Sequence, residues 1–89
     1  MKIISQEECE VFIIDYLLAH RYIGHKQTTF EIMTRHVPTN DRKLATHALE
    51  NLIRKGFVST KRKHYGIYIS LIPDRLDDIR TYLNFLEKN

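Results

Sequence analysis

The sequence predicts an α+β fold that is mostly helical, and three observations lead to that fold class. Apolar residues recur at helical spacing in several segments, two capping boxes mark helix starts, and the apolar period changes to two after Gly56. A chain of 89 residues forms only a modest core, so all elements must share it. We expect one domain over residues 1–89, with three helices, a β-hairpin and a terminal helix in that order.

Helix 1 is predicted over residues 5–20 from a capping box formed by Ser5 and Glu8. In such a box the two side chains satisfy free backbone donors of the first helical turn. Apolar residues follow at helical spacing, and Glu10 and Asp15 fall among the positions expected to be exposed. The pattern is that of an amphipathic helix that packs on the core.

Helix 2 is predicted over residues 28–36, because Thr28 and Glu31 repeat the capping box. It must end before Pro38, since the residue before a proline is disfavoured in helical geometry. We therefore expect a helix of about two turns, followed by a tight turn.

Helix 3 is predicted over residues 40–55, with signals at both ends. Either Thr39 or Asn40 can cap its start, and Asp41 complements the positive end of the helix dipole. Gly56 follows two basic residues and acts as a C-terminal stop.

A β-hairpin is predicted over residues 57–71, because apolar and polar residues alternate on both sides of a basic segment that contains Gly66. The last helix is predicted over residues 74–88, where Pro73 and Asp74 precede a broad apolar stripe. This stripe either packs against helix 1 or pairs with a second copy of the chain, and its width favours both. We therefore expect a homodimer, with contacts from Leu76, Ile79, Leu83 and Leu86.

Composition narrows the function classes. The single cysteine, Cys9, has no internal disulfide partner and the N-terminus lacks a signal sequence, so we expect a cytoplasmic protein. Apolar runs are far shorter than the ~20 residues of a membrane span. The five histidines include no pair three or four residues apart, and no phosphate loop or catalytic triad is found. We expect no metal, no cofactor and no enzyme activity.

The most specific motif lies at the end of helix 3. It reads Leu49-x-x-Leu52-Ile53-x-x-Gly56-Phe57-Val58 and leads into the hairpin. With the order of the elements, this motif resembles the winged helix-turn-helix family of small bacterial, archaeal and viral transcriptional regulators, over residues 5–88. The resemblance implies that helix 3 enters the major groove of double-stranded DNA and that the hairpin, or wing, follows the neighbouring backbone.

The outer side of helix 3 carries chemistry that suits this role. The residues assigned to DNA binding here are Arg42, Lys43, Thr46, His47, Glu50 and Arg54. In the family the N-terminal part of the helix reads base edges, which makes Lys43, Thr46 and His47 candidates for base contacts. Arg42 would reach the rim of the groove. Glu50 would repel phosphate, and we expect it to pair with Arg54 four residues on.

The wing residues assigned to DNA binding are Lys61, Arg62, Lys63, His64 and Tyr65. Residues 40–65 contain seven basic and two acidic residues, a net charge of +5, whereas the remaining residues contain seven basic and nine acidic, a net charge of −2. This segregation places the positive field on helix 3 and the wing, as DNA binding requires. The resemblance to the family implies a sequence-specific transcriptional regulator, a repressor, and the terminal stripe adds the expectation that it acts as a homodimer. The wing supplies phosphate contacts, which set affinity and carry no base information.

Two other functions stay open. One is a winged-helix module that binds a protein and no DNA, through an exposed Tyr68 and the terminal stripe. The other is RNA or single-stranded nucleic acid binding, which needs stacking aromatics, and only Tyr65 and Tyr68 qualify at the basic surface. The lysines of the hairpin also suit a merely solvated turn.

Overall fold

The described part of the chain, residues 2–88 of a computed structural model, contains four α-helices and a three-stranded antiparallel sheet. The α+β fold class is thereby confirmed. In chain order the elements are α1 (Gln6–Ala19), β1 (Thr28–Thr29), α2 (Phe30–His36), α3 (Arg42–Arg54), β2 (Val58–Lys63), β3 (Gly66–Leu71), a 3-10 turn (Pro73–Arg75) and α4 (Leu76–Glu87). The strands lie in the order β1-β3-β2.

Helix α1 begins after Ser5, whose Oγ accepts a hydrogen bond of 3.2 Å from the backbone N–H of Glu8. The hydroxyl also donates to Oε1 of Glu8 at 3.0 Å, so the two side chains hold each other at the start of the helix. One prediction for this helix was wrong. Glu10 is 2% exposed and faces the interior, whereas Asp15 is exposed.

The start of α2 differs from the prediction by one residue. Thr28 does not cap the helix, because its backbone is extended and pairs with Ile69 in the sheet. Thr29 takes the capping position, and its Oγ1 accepts a hydrogen bond of 3.0 Å from the backbone N–H of Ile32. Thr28 thus pairs in the sheet and Thr29 caps the helix, whereas the sequence pattern assigned the cap to Thr28.

The start of α3 is capped by Asp41, so the prediction that Thr39 or Asn40 caps it was wrong. The carboxylate of Asp41 accepts a hydrogen bond of 3.2 Å from the backbone N–H of Leu44. Thr39 acts one step earlier, because its Oγ1 accepts a hydrogen bond of 3.1 Å from the backbone N–H of Asp41. It therefore holds the capping residue in place.

Gly56 ends α3 as the sequence predicted. Its φ of +80° lies in the left-handed region, and the chain makes the paired bonds of a Schellman motif. The N–H of Gly56 donates to the carbonyl of Ile53 at 3.0 Å, and the N–H of Phe57 donates to the carbonyl of Leu52 at 3.1 Å. A Cβ at Gly56 would lie 3.0 Å from the guanidinium of Arg75, so this position has little room for a side chain.

Strands β2 and β3 form a hairpin in which Lys63 pairs with Gly66, which leaves His64 and Tyr65 as the turn. The basic residues before the turn therefore belong to strand β2. Side chains alternate between the two faces of a strand. Arg62 shares the face of Val58, which is buried in the core, and Lys61 and Lys63 point to the opposite face.

A polar cluster lies where α1, α3 and α4 meet. The carboxylate of Glu10 accepts hydrogen bonds from Nε2 of Gln6 at 2.9 Å, from Nδ2 of Asn51 at 3.0 Å and from the hydroxyl of Tyr82. Burial, together with the hydrogen bond to Glu10, raises the pKa of Tyr82 well above its ordinary value. These bonds tie three helices together around one buried carboxylate.

Helix α4 contributes directly to the core. Ile79 is fully buried and Leu83 is 8% exposed, so these two side chains cannot serve a dimer contact as predicted. These two side chains share one side of α4 because residues four apart lie on the same side of a helix, and α4 packs against α1. Leu76 and Leu86 are half-buried, and Phe85 is 61% exposed.

Candidate nucleic-acid interface

The outer side of α3 is open to solvent, as the helical wheel predicted. Lys43, His47, Glu50 and Arg54 are exposed, whereas the side that faces the core is made of Ala45, Ala48, Leu49 and Leu52. Arg42 at the start of α3 is exposed as well, so the five exposed residues of the helix are two Arg, one Lys, one His and one Glu. The helix therefore presents a polar, mostly cationic surface along its whole length.

Arg42 is exposed at the start of α3, but its guanidinium also makes hydrogen bonds within the protein. Its Nη1 donates to the carbonyl of Thr34 at 2.7 Å, and its Nη2 donates to the carbonyl of Val37 at 2.7 Å and to the carbonyl of Thr39. These carbonyls belong to the last turn of α2 and the segment after it, where helix carbonyls lack partners within the helix. Arg42 joins α2 to α3, and its donors are turned toward the protein.

Thr46 is half-buried in a shallow groove between α2 and α3. The groove also contains Glu31 and Arg35, which form an ion pair on the exposed side of α2. Thr46 therefore lies at the edge of the outer side of α3, and it is less accessible to solvent than Lys43 or His47. Of the three candidates for base contacts, these last two are the most exposed.

Glu50 does not pair with Arg54. The two ion pairs within residues 2–88 join Arg35 to Glu31 and Arg75 to Asp78. Glu50 lines a groove of about 210 Å³ between α3 and the hairpin, and Arg62 lines the same groove. Helical spacing suggested Arg54 as the partner of Glu50, whereas the structure records no ion pair of Glu50 with either arginine and places Arg62 in the lining of the same groove.

The hairpin thus places its cations on two faces. Arg62 faces the groove beside α3, and Lys61 and Lys63 lie on the other face of the sheet. Lys63 donates from Nζ to Oε1 of Gln27 at 3.1 Å, and its Nζ lies 4.5 Å from the ring centroid of Tyr68. Tyr68 is half-buried under this lysine, so the prediction that it is exposed was wrong.

The tip of the hairpin projects into solvent. Tyr65 is 90% exposed, and its ring centroid lies 6.5 Å from that of His64. The two turn residues line a shallow depression together with Arg62, Lys63 and Tyr68. The turn of the hairpin and the residues beside it therefore present an aromatic ring and several cations to solvent.

Two residues of the loop before β1 lie next to the sheet and were not predicted from the sequence. Nζ of Lys26 lies 5.4 Å from the ring centroid of Tyr22, and Gln27 holds Lys63 as described above. Both residues come next to the sheet because β1 pairs with β3. A strand of two residues has no period that a sequence pattern can detect, so this edge of the surface carried no signal.

The part of the chain that the structure describes contains neither a cluster of metal ligands nor a helix that could span a membrane. Residues 2–88 contain no group of three or more His, Cys, Asp and Glu side chains that could hold a metal ion. Over the same residues, every helix is too short or too polar to cross a bilayer.

No protein-family model matches the chain, and comparison with curated proteins and with solved structures finds no match. A function is therefore inferred from the residues and their arrangement.

Proposed function

We propose that this chain binds double-stranded DNA as a winged helix-turn-helix protein, with α3 in the major groove and the β2–β3 hairpin along the flanking backbone. The observation that carries the proposal is the groove between α3 and the hairpin. Glu50 of α3 and Arg62 of β2 line it together, so the exposed side of the helix adjoins the face of the hairpin that carries Arg62, and Lys61 and Lys63 lie on the other face of the same hairpin. A helix beside a cationic hairpin matches the way this family contacts a duplex.

The exposed residues divide into two roles. Lys43 and His47 lie in the first half of α3, where they can reach base edges and donate hydrogen bonds to acceptors such as N7 and O6 of guanine. Arg54, Lys61 and Arg62 are suited to phosphate contacts, which position the protein on the duplex. Arg42 is left out of the contact set, because its donors hold the turn between α2 and α3.

Glu50 fits this arrangement without an ion pair to Arg54. A carboxylate on a reading helix can accept a hydrogen bond from the amino group of cytosine. Arg62 in the same groove offsets part of the repulsion between Glu50 and the phosphates. Glu50 therefore adds selectivity at one base pair and lowers affinity elsewhere.

Repression of transcription by occupying a site is the cellular role that we propose, from the resemblance to the family. Homodimer formation through the last helix stays a prediction, and Leu76 and Leu86 are the two assigned side chains that are not fully buried. Symmetric dimers bind half-sites about one helical turn apart, so the symmetry of the target reports the number of copies bound.

Selection of bound sequences from a random duplex library tests the proposal. We expect a recurring motif of a few base pairs, and a palindrome if two copies bind. The double variant Lys43→Ala with His47→Ala should relax the motif, whereas Arg80→Ala, which removes an exposed cation of α4, should leave it unchanged. A selection that returns no motif and no affinity for any duplex would favour the protein-interaction module and overturn the proposal.

A further inference from the structure

A second concave surface lies between α1 and the end of α4. This groove has a volume of about 920 Å³ and an apolar floor formed by Ile3, Val11, Phe12, Phe85 and Leu86. Phe85 is 61% exposed, and Val11, Phe12 and Leu86 are half-buried. These apolar side chains are gathered in one groove and are not scattered singly over the surface, so they offer another molecule one apolar contact area.

The rim of the groove is acidic. Glu7, Glu8 and Asp15 of α1 and Glu87 of α4 line it, and no Lys or Arg among residues 2–88 does. The protein as a whole has a net charge of +3, so four carboxylates around one apolar groove set this region apart from the rest of the surface. We call this region the acidic groove.

We propose that the acidic groove binds an amphipathic segment of a partner protein, with an apolar face on the floor and Lys or Arg side chains against the rim. An amphipathic helix laid in an apolar groove is a common mode of recognition. The charge of the rim then selects the partner, because complementary charges steer the encounter and unpaired like charges oppose it.

A second copy of this chain is a poor occupant of the acidic groove. In a symmetric dimer the same patch meets itself, so the rim carboxylates of one copy would face those of the other. Like charges facing each other across an interface are unfavourable. The charge pattern therefore favours a different, basic partner at this site, so of the two half-buried residues assigned to the homodimer only Leu76, which lies outside the groove, remains available to a second copy.

The proposal does not depend on DNA binding, because the acidic groove shares no residue with the surface of α3 and the hairpin. It also can be tested without DNA. The probe is a fluorescent helical peptide of about 14 residues, or four turns, with leucine on one face and lysine on the other. A peptide with glutamate in place of lysine is the matched control.

Fluorescence anisotropy should show binding of the lysine peptide and none of the glutamate peptide. Because the protein has a net positive charge, attraction of a cationic peptide must come from a local acidic region. Affinity should fall as salt is raised, since exposed charges are screened. Equal binding of both peptides, or of neither, would overturn the proposal.

Charge-reversal variants locate the site. The double variant Asp15→Lys with Glu87→Lys changes two exposed rim residues, and we expect it to weaken binding about tenfold. The control Asp74→Lys with Asp77→Lys makes the same change in net charge on exposed residues outside the groove, and should weaken it less than about twofold. Equal losses would mean that the peptide senses net charge alone, and the groove would be rejected.

The apolar floor is tested by Phe85→Ser, which should reduce binding, with Tyr65→Ser on the hairpin as the control that should not. Circular dichroism of each variant identifies any that fails to fold. A peptide whose leucines are replaced by alanine tests the same apolar contact from the side of the peptide. Sedimentation equilibrium of the free protein tests the alternative occupant, a second copy of this chain. A dimer that Phe85→Ser abolishes would assign the groove to self-association and overturn the proposal.

Discussion

The side-chain amide of Asn51 in α3 donates a hydrogen bond of 3.0 Å to the buried carboxylate of Glu10 in α1. Asn51 lies on the flank of α3, between its buried and exposed sides. The bond therefore joins the helix proposed to read DNA to the core, and Tyr82 extends the same connection to α4. A buried polar network in which each member has a partner fixes the relative positions of the elements that it joins.

We expect Glu10→Gln to lower the free energy of unfolding by about 1–3 kcal/mol. Three donors converge on the two oxygens of Glu10, and a glutamine offers one oxygen and two donors of its own. The amide oxygen can accept from Gln6 and Asn51 only if the amide NH2 meets the hydroxyl of Tyr82, so the bond to Tyr82 must reverse and all three bonds lose the assistance of the negative charge. Urea denaturation measures the change.

The control for this prediction is Glu87→Gln, which makes the same chemical change at an exposed residue of α4. It should change the free energy of unfolding by less than about 0.5 kcal/mol. Equal effects of the two substitutions would mean that the buried network contributes nothing specific.

The contribution of Tyr82 to stability should decrease in alkaline solution. Its pKa in the folded protein is raised by burial and by the hydrogen bond to Glu10, so the folded chain keeps the proton more tightly than the unfolded chain. Below about pH 10, the ordinary pKa of tyrosine, the contribution is present in full. As pH rises above that value the unfolded chain loses the proton, and the free energy of unfolding falls.

Tyr82→Phe tests this pH dependence, because phenylalanine has no proton to lose. The difference in free energy of unfolding between the natural protein and this variant should narrow as the pH rises above about 10, by at most about 1.4 kcal/mol per pH unit. Tyr65→Phe at the exposed tip is the matched control, and its difference should stay constant. A difference for Tyr82→Phe that widens with pH would have the wrong sign for this mechanism.

Arg42→Ala and Arg54→Ala should separate stability from DNA affinity. Arg42 donates to three backbone carbonyls around the end of α2, so its loss should lower the free energy of unfolding by about 1–2 kcal/mol. Arg54 is exposed, and its loss should change stability by less than about 0.5 kcal/mol while weakening binding to every duplex. Thermal unfolding and DNA titration of both variants check the assignment. The reverse pattern would return Arg42 to the contact surface.

The helices and the hairpin could be predicted from the sequence because their signals are local. Capping residues, a helical apolar stripe and a left-handed Gly56 act within a few residues of the chain. The capping residue itself was harder to choose. Thr28 and Thr29 have the same chemistry, and only the pairing of Thr28 with β3, a contact distant in sequence, decides between them.

The interior position of Glu10 and the environment of Glu50 could not be predicted, for a related reason. A carboxylate is almost always exposed unless it has partners. Two of the three partners of Glu10, Asn51 and Tyr82, are 41 and 72 positions away from it in the sequence. Glu50 had a suitable cation four residues along its own helix, yet it shares a groove with Arg62 of the hairpin. Helical spacing identifies which pairs are possible, and tertiary packing decides which of them form.

Binding to duplex DNA should weaken steeply with salt. If four to five cations of α3 and the hairpin meet phosphates, log K should fall against log salt with a slope of about −4. The double variant Lys61→Ala with Arg62→Ala removes two of these cations, so the slope should become shallower by about 2. Affinity should drop by a similar factor for every sequence, because phosphates carry no base information.

The matched control for the hairpin is Arg80→Ala with Lys88→Ala, which removes two exposed cations of the α4 region and changes the net charge equally. If phosphates contact α3 and the hairpin, this control should keep nearly the slope of the natural protein, since charges beyond about 10 Å are largely screened at 0.1 M salt. Equal changes in slope for the two double variants would show that DNA senses the net charge of the domain. In that case α3 and the hairpin would lose their assigned role, because no particular surface would then meet the duplex.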